Sequence, residues 1–356
     1  MEKEDKEERA VMLRADHDLA FLLQYENVAW YEKGAVRILD RRRYPKVEFV
    51  TCKHHSEVAK AIADMVTQSA GPYLAAGMGM ALAGYEAEIK NKKEKEAKQY
   101  LEEAAYTLSH ARPTTVVRME EITRKCFEVG CNALEQGKKL DQAIFEHTLE
   151  EINNKYLRID KTAKYLAEMF PVHGTVLTQC FGETIVGLML RQAKELKKDI
   201  KVMCAETRPY FQGARLTASV AYDQGFDVTV ISDNMPAYAM ANGMIDLFTS
   251  AADAISSDGH VVNKVGTMQL AILCKYFGIP YFTTGAPDKR HLTIDSVKIE
   301  MRDPSLVLEA MGVRTAKEGV KAIYPAFDIT PPHLISGIIT DKGIYSPYDL
   351  RRYFTQ

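Results

Sequence analysis

The sequence lacks the features that mark secreted and membrane proteins. Residues 1–9 are mostly charged and contain no apolar segment of the kind that a signal peptide needs. No stretch of about 18 apolar residues occurs, so we expect no membrane span and no membrane partner. The six cysteines form no Cys-x-x-Cys pair, which argues against a zinc or other metal site and favours reduced thiols in the cytoplasm.

The sequence also has little net charge and no obvious internal division. Its 46 Lys and Arg residues nearly balance 48 Asp and Glu residues, which leaves a formal charge of -2 at pH 7. This balance gives no electrostatic reason to expect nucleic acid as a partner. We find no internal repeat and no low-complexity linker, but 356 residues are too many for one small core. Two domains are therefore expected.

The first half of the chain has the apolar spacing of helices. Val58, Ile62, Met65 and Val66 are spaced as on one face of a helix that Ser56 could cap. Residues 140–170 contain neither proline nor glycine, which predicts one long helix or two in tandem. We therefore expect a mainly helical domain over residues 1–150.

The pattern changes after residue 170. Short apolar runs alternate with segments of helical length, as in βαβ units around a parallel sheet. The runs are 175–178, 200–204, 228–232, 247–251 and 279–283, and the intervening helical segments include 213–224 and 267–276. We expect an α/β domain with a parallel sheet over residues 151–356.

Two of these apolar runs end at residues with useful chemistry. Cys180 closes the run from residue 175, and Asp253 follows the run 247–251. Open α/β sheets bind ligands at the carboxyl ends of their strands, so the pair is the best catalytic candidate. A helix start just after Cys180 would lower the pKa of its thiol. The alternatives are a small core residue for Cys180 and a helix N-cap for Asp253.

Four further residues suit a phosphorylated sugar. Asn263 and Lys264 precede a predicted helix start, where backbone N–H groups and the lysine would attract an anion, although Thr267 could instead be an ordinary N-cap. The Gln212 amide suits sugar hydroxyls. The forked guanidinium of Arg112 matches phosphate oxygens, unless this arginine simply lies on the surface.

Taken together, these segments resemble the methylthioribose-1-phosphate isomerase family, which is related to the regulatory subunits of translation initiation factor 2B. The matches are collinear and spread over most of the chain. They are Leu39-Asp40-Arg41-Arg42-Arg43-Tyr44-Pro45, Gly79-Met80-Ala81-Leu82-Ala83, Ala111-Arg112-Pro113-Thr114, Glu206-Thr207-Arg208-Pro209, Gln212-Gly213-Ala214-Arg215-Leu216-Thr217-Ala218, Ser232-Asp233-Asn234-Met235, Asp253, Asn263-Lys264-Val265-Gly266-Thr267 and Tyr324-Pro325-Ala326-Phe327-Asp328-Ile329-Thr330-Pro331.

The resemblance implies a fold, an assembly and an activity. It implies a helical domain followed by a Rossmann-like domain, a homodimer, and isomerisation of an aldose 1-phosphate to a ketose 1-phosphate without a metal or nicotinamide cofactor. Cys180 and Asp253 fall on the catalytic positions of the family. Its sugar- and phosphate-contacting positions fall on Arg112, Gln212, Asn263 and Lys264. The implied substrate is a phosphorylated pentose, 5-methylthioribose 1-phosphate, with 5-deoxyribose 1-phosphate and ribose 1,5-bisphosphate as alternatives.

The implied chemistry gives the two catalytic positions different tasks. Asp253 would protonate the ring oxygen of the sugar, which requires a raised pKa and predicts an apolar, water-poor setting. Cys180 would carry a proton from C2 to C1 through an enediol-like species, the alternative being a direct hydride shift that both residues assist. A non-catalytic regulatory or ligand-sensing protein is the rival from another class. The presence of both residues favours the enzyme.

Two segments depart from the family pattern. The family's Arg-Gly-Ala phosphate-contact loop aligns with Thr67-Gln68-Ser69, so its arginine is absent here. The Asn-Ala-Gly that follows the family cysteine is replaced by Phe181-Gly182-Glu183. Candidates to replace the missing arginine are Arg191, Arg118 and Lys264.

Overall fold

A computed structural model of the protein describes residues 14–112 and 116–355. Helices dominate its first part: α1 (Tyr25–Val28), α2 (His55–Ala63), α3 (Gly71–Ile89), α4 (Glu94–Ser109), α5 (Val116–Glu135) and α6 (Leu140–Glu168). Helix α3 is buried along most of its length because its glycines let neighbours approach closely. At Gly77, an added Cβ would lie 2.6 Å from Cγ2 of Thr148 on α6. No helix within the described residues has both the length and the apolar composition needed to cross a membrane.

The first part also contains a small sheet that the sequence patterns do not predict. Its strands are β1 (Ala29–Glu32), β2 (Ala35–Leu39) and β3 (Phe49–Cys52), paired antiparallel in that order. Each strand has only four or five residues, so the alternation of buried and exposed side chains is too short to stand out. In β2, only Val36 and Ile38 flank the exposed Arg37 in this way.

The proline- and glycine-free stretch after residue 140 forms one helix, α6, with 29 residues. This matches the first of the two predicted possibilities. Residue 150 lies inside α6, and the chain is continuously helical on both sides of it. The division into domains at 1–150 and 151–356 therefore stays a prediction from sequence.

The second part of the chain is organised around a seven-stranded sheet, which confirms the predicted α/β class. Its strands are β4 (His173–Gln179), β5 (Asp199–Ala205), β6 (Val228–Ile231), β7 (Leu247–Ala251), β10 (Tyr281–Thr284), β14 (Gly337–Thr340) and β15 (Gly343–Tyr345). All neighbouring strands are parallel except β14 and β15. Each of the five predicted apolar runs corresponds to a strand of this sheet.

The remaining elements connect or cover the sheet. They are α7 (Thr184–Glu195), α8 (Ala218–Asp223), β8 (Ala254–Ile255), α9 (Pro236–Ala241), β9 (Val261–Lys264), α10 (Thr267–Phe277), β11 (Glu309–Ala310), β12 (Val313–Arg314) and β13 (Phe327–Thr330). Successive residues of β4 point to opposite faces and join different cores: Val176 packs with α7 and α8, and Leu177 with α9 and α10. Because both faces are covered, the last four residues of β4 are all buried rather than alternating between buried and exposed.

The order of the strands places a crevice beside β4. The sheet runs β15-β14-β10-β7-β4-β5-β6, so the chain moves outward from β4 to β6 and then returns to the other side of β4 as β7. Such a reversal opens a crevice at the carboxyl ends of the two strands. Cys180 follows β4 and Asp253 follows β7, so both lie beside this crevice.

Candidate active site

A cavity of about 890 Å³ opens at this end of the sheet. Its walls come from the start of α3, one face of α6, the turns after β4 and β7, the end of β9 and the segment 284–302. All six residues selected from the sequence line it: Arg112, Cys180, Gln212, Asp253, Asn263 and Lys264. The structure therefore brings together residues that are up to 152 positions apart in the chain (112 to 264).

Cys180 is held in an unusual backbone conformation. Its φ of 61° lies in the left-handed region, which is costly for a residue with a side chain. Two threonines secure it: the Cys180 N–H donates to Oγ1 of Thr207 at 2.9 Å, and the Cys180 carbonyl accepts from the Thr217 hydroxyl. Such a conformation, fixed from both sides, points the residue in one direction and is common at functional sites.

The environment of the Cys180 thiol differs from the one expected from sequence. Burial raises the pKa of the Cys180 thiol, and this effect exceeds the lowering by the nearby Lys264. Helix α7 begins only at Thr184, and its start does not lower the net pKa as predicted. At neutral pH the thiol is therefore mainly protonated in the free protein.

Asp253 has no hydrogen bond to its carboxylate among the described residues. Its backbone N–H donates to the Val262 carbonyl at 2.9 Å, which fixes it against β9 and leaves the side chain exposed to the cavity. Burial within the surrounding protein raises the pKa of the Asp253 carboxyl, although Lys264 and Arg302 pull it down. The raised pKa agrees with the expectation, but the water-poor setting does not, because the side chain faces open space.

Asn263 and Lys264 end strand β9 and are both buried. The Asn263 amide donates to Oγ1 of Thr267 at 3.0 Å. The Lys264 ammonium donates to the Ala326 carbonyl at 2.9 Å and lies 4.8 Å from the centre of the Phe327 ring. Burial lowers the pKa of the Lys264 ammonium. Thr267 is not the cap of α10, since Gly266 occupies that position with a φ of 103°.

Gln212 contributes an unsatisfied acceptor to the cavity. Its side chain is buried, and its Oε1 atom has no hydrogen-bond partner among the described residues. A buried amide oxygen without a donor costs about 1–3 kcal/mol, which a ligand hydroxyl could recover. The sugar-binding task of Gln212 stays a prediction.

Arg112 lies at the last described position before the 113–115 gap and is partly buried. Burial lowers the pKa of its guanidinium, and the nearby Arg302 guanidinium acts in the same direction. A second arginine so close indicates that this part of the cavity has a surplus of positive charge.

Sequence reasoning missed several of the basic residues. The cavity is lined by eight Lys and Arg side chains and four carboxylates: Arg112, Arg118, Lys155, Arg158, Lys264, Arg290, Lys298 and Arg302 against Asp253, Asp288, Glu300 and Asp341. Arg302 and Arg290 come from an irregular segment that has no periodicity to reveal its course. Arg302 is paired with Glu300 at 3.0 Å, and Arg290 with Asp288 at 2.6 Å.

The three candidates for the missing loop arginine have different locations. Arg118 and Lys264 line the cavity. Arg191 does not, because its guanidinium is paired with Asp160 at 3.0 Å and donates to the Ala15 carbonyl. The proposal that Arg191 replaces the loop arginine is therefore wrong.

The two segments that depart from the family pattern contact each other. The Ser69 hydroxyl donates to the Phe181 carbonyl at 3.0 Å, and the Glu183 carboxylate accepts from the Ala70 N–H. The other oxygen of Glu183 accepts from Arg41 at 2.7 Å. The altered residues therefore form one connected unit beside Cys180.

The chain is similar to known proteins over most of its length. The model of the initiation factor 2 subunit family matches residues 69–347. Methylthioribose-1-phosphate isomerase from Thermosipho africanus is 35% identical over 344 residues, covering 90% of this chain and 95% of that protein. The protein of the same name from Thermotoga maritima is 34% identical over 340 residues, with coverage of 91% and 96%.

Two solved structures resemble the whole fold. The crystal structure of 5-methylthioribose 1-phosphate isomerase from Pyrococcus horikoshii has a TM-score of 0.82 at 28% identity, covering 94% of this chain and 97% of that one. The structure of the translation initiation factor eIF-2B delta subunit from A. fulgidus has a TM-score of 0.76 at 29% identity, with coverage of 90% and 96%.

Proposed function

The chain belongs to the initiation factor 2 subunit family, and we propose that it converts 5-methylthioribose 1-phosphate to the corresponding ribulose 1-phosphate. Relatives about a third identical over nine tenths of the chain are named isomerases, and the chain is accordingly an isomerase. The main support for isomerase chemistry is the cavity at the carboxyl ends of β4 and β7, where the strand order reverses. A thiol after β4 and a free carboxyl after β7 share this cavity with an unsatisfied amide oxygen.

In this proposal Asp253 is the acid that opens the sugar ring. A sugar phosphorylated at C1 cannot open as a free aldose does, so its ring oxygen must gain a proton as the C1–O bond breaks. The raised pKa of the Asp253 carboxyl increases the fraction that holds this proton. No hydrogen bond from the described residues occupies its carboxylate, so both oxygens are available to the substrate.

Cys180 is the proposed carrier of the proton that moves from C2 to C1. The thiolate removes the C2 proton, an enediol-like species forms, the thiol returns the proton to C1, and the C2 hydroxyl gives its proton to the Asp253 carboxylate as the ketone forms. The positive charge of Lys264 favours the thiolate form, although burial keeps it a minor species in the free protein. The alternative is a direct hydride shift that Cys180 and Asp253 assist without either one carrying the hydrogen.

The remaining residues are proposed to position the substrate. Gln212 would accept a hydrogen bond from a sugar hydroxyl at its unsatisfied Oε1. Asn263 and Lys264 would hold the reacting end of the sugar beside Asp253, and Arg112 would bind phosphate oxygens. 5-Deoxyribose 1-phosphate and ribose 1,5-bisphosphate are the alternative substrates, because they differ only at C5.

An NMR assay tests the proposal directly. Each of the three ribose 1-phosphate compounds is incubated with the protein, and formation of the ketose 1-phosphate is followed. We expect turnover by the wild type and losses of about 100-fold or more in Cys180→Ser and Asp253→Asn. Cys131→Ser is the matched control, since Cys131 is a partly exposed thiol outside the cavity. Binding without turnover, equal in wild type and both variants, would instead indicate a ligand-sensing protein.

We also propose a cytoplasmic homodimer. Support comes from helix α10, where Met268, Ile272 and Tyr276 are exposed, with 81% of Tyr276 accessible. They recur every four residues and so share one face of the helix. Exposed Tyr238 on the adjacent α9 adds to it. Light scattering after gel filtration should give twice the chain mass, and Tyr276→Glu should shift the protein toward the monomer.

A further inference from the structure

One end of the cavity is formed by residues of α3 and α6. Lys155, Arg158, Ile159 and Thr162 all line it, and their spacing of three, four and seven residues places them on one face of α6. Across from them, Tyr73 lies in the first turn of α3. The Lys155 ammonium is 5.1 Å from the centre of the Tyr73 ring.

Lys155 is withdrawn from water, whereas the neighbouring Arg118 and Arg158 are exposed. Its side chain is partly buried, and burial lowers the pKa of its ammonium. Within residues 14–112 and 116–355, the Lys155 ammonium has no hydrogen bond or ion pair. It contacts the Tyr73 ring, but none of its three N–H groups donates to an oxygen. An ammonium removed from water without an acceptor is costly, so the site favours an anion.

The carboxylate of Glu183, whose charge acts on Lys155, does not accept a hydrogen bond from its ammonium. Glu183 attracts Lys155 at longer range, but its two carboxylate oxygens are taken by Arg41 and by the Ala70 N–H. Arg118 and Arg158 add positive charge around Lys155. Of the side chains that the structure describes, the α3–α6 end of the cavity therefore holds several cations and no carboxylate that is free to pair with Lys155.

We propose that Lys155 binds the phosphate of the sugar substrate. A phosphate carries the charge and the acceptor oxygens that the Lys155 ammonium lacks, and Arg112, which lines the same cavity and interacts electrostatically with Tyr73, adds a second positive charge to it. The inference rests on the proposed sugar-phosphate isomerase, and it adds a phosphate-binding residue on α6 to the groups at the strand ends. Lys155 anchors the substrate and takes no part in the proton transfers.

The test compares Lys155→Met, Lys155→Arg and Lys161→Met. Methionine keeps the length of the side chain without the charge, arginine restores the charge, and Lys161 is an exposed lysine on the same helix. We measure kcat and KM for 5-methylthioribose 1-phosphate, and the affinity of each protein for inorganic phosphate by calorimetry. Melting temperatures show whether each variant is folded, with Lys155→Gln as a second neutral variant if Lys155→Met is not.

In Lys155→Met we expect KM and the phosphate dissociation constant to rise by about 10- to 100-fold, with kcat changed less than about threefold. Lys155→Arg should recover most of the loss, and Lys161→Met should match the wild type. Unchanged KM and phosphate affinity would overturn the proposal, as would a fall in kcat alone. If the wild type isomerises none of the sugars, the proposed function fails, while the phosphate titration still decides the role of Lys155.

Discussion

Arg41 and Glu183 form an ion pair of 2.7 Å in which both side chains are almost fully enclosed. Arg41 follows β2, and Glu183 lies three residues after Cys180, so the pair joins the small N-terminal sheet to the turn that carries the thiol. The Arg41 guanidinium also donates to the Gln68 and Leu22 carbonyls. Glu183 has a φ of 51°, so this turn adopts a costly backbone conformation that its contacts must hold.

Glu183→Gln should destabilise the protein. The variant leaves the Arg41 charge buried without its partner, and such a loss costs about 3–5 kcal/mol. The free energy of unfolding from urea titration measures this. Asp64→Asn breaks the exposed Lys60–Asp64 pair and is the matched control, with an expected loss of about 0–1 kcal/mol. Equal losses in the two variants would contradict the role given to the buried pair.

Gln212→Met should weaken substrate binding without weakening the fold. The Oε1 atom of Gln212 makes no hydrogen bond within the described part of the chain, so its removal costs the free protein little. The substrate loses one acceptor, which predicts a KM about tenfold higher. Steady-state kinetics and melting temperature measure the two effects. A lower melting temperature with unchanged KM would show that Gln212 is structural.

The activity should depend on pH through Asp253 and Cys180. The proton-transfer route needs a protonated Asp253 and an ionised Cys180. At pH values below the pKa of the Asp253 carboxyl, activity decreases because less of Cys180 is ionised. At pH values above the pKa of the Cys180 thiol, activity decreases because less of Asp253 is protonated. Burial raises both pKa values, so both limbs of a kcat/KM profile should lie above the ordinary values for Asp and Cys. A profile without the acid limb would favour the direct hydride shift, because ring opening still needs the protonated Asp253 but the shift needs no thiolate.

Asp328 should make stability depend on pH. Burial raises the pKa of its carboxyl to about 6, although the Gly266 and Met268 N–H groups donate to it. Because the folded pKa exceeds the unfolded one, the folded state binds the proton more tightly. As pH rises from about 4 to about 6, this group should lower the free energy of unfolding by about 2–3 kcal/mol.

Asp328→Asn isolates this contribution. The variant cannot ionise at this position, so its stability relative to the wild type should increase over the same pH interval. Urea titrations of both proteins at several pH values measure the difference. A difference that stays constant, or decreases as pH rises, would contradict the raised pKa of Asp328.

The second half of the fold was more predictable than the first. The strands around residues 176 and 248 contain consecutive buried apolar residues, Val176-Leu177 and Leu247-Phe248, because both faces of the sheet are covered, and such runs stand out in a sequence. The strands β1 to β3 are too short for a comparable signal. The pattern of the sequence changes after residue 170, and the boundary predicted at residue 150 falls inside α6.

The candidate site was predictable where side chains follow strands. Cys180 and Asp253 could be located because strand ends meet at one edge of a parallel sheet. Lys155 could not, since one lysine on a long charged helix looks like a solvated residue until packing shows which face meets the cavity. Arg302 also gave no signal, because the segment that carries it has no regular periodicity.

The reversal of strand order between β4 and β7 positions the walls of the cavity independently of the side chains that would act in it. Backbone pairing, such as that of Thr178 with Thr249, keeps the two following turns side by side whatever side chains they carry. Replacing the thiol and the carboxyl would therefore leave a ligand cavity of the same shape. With the roles proposed for Cys180 and Asp253, a change of these two residues would convert a protein that transforms its ligand into one that only binds it.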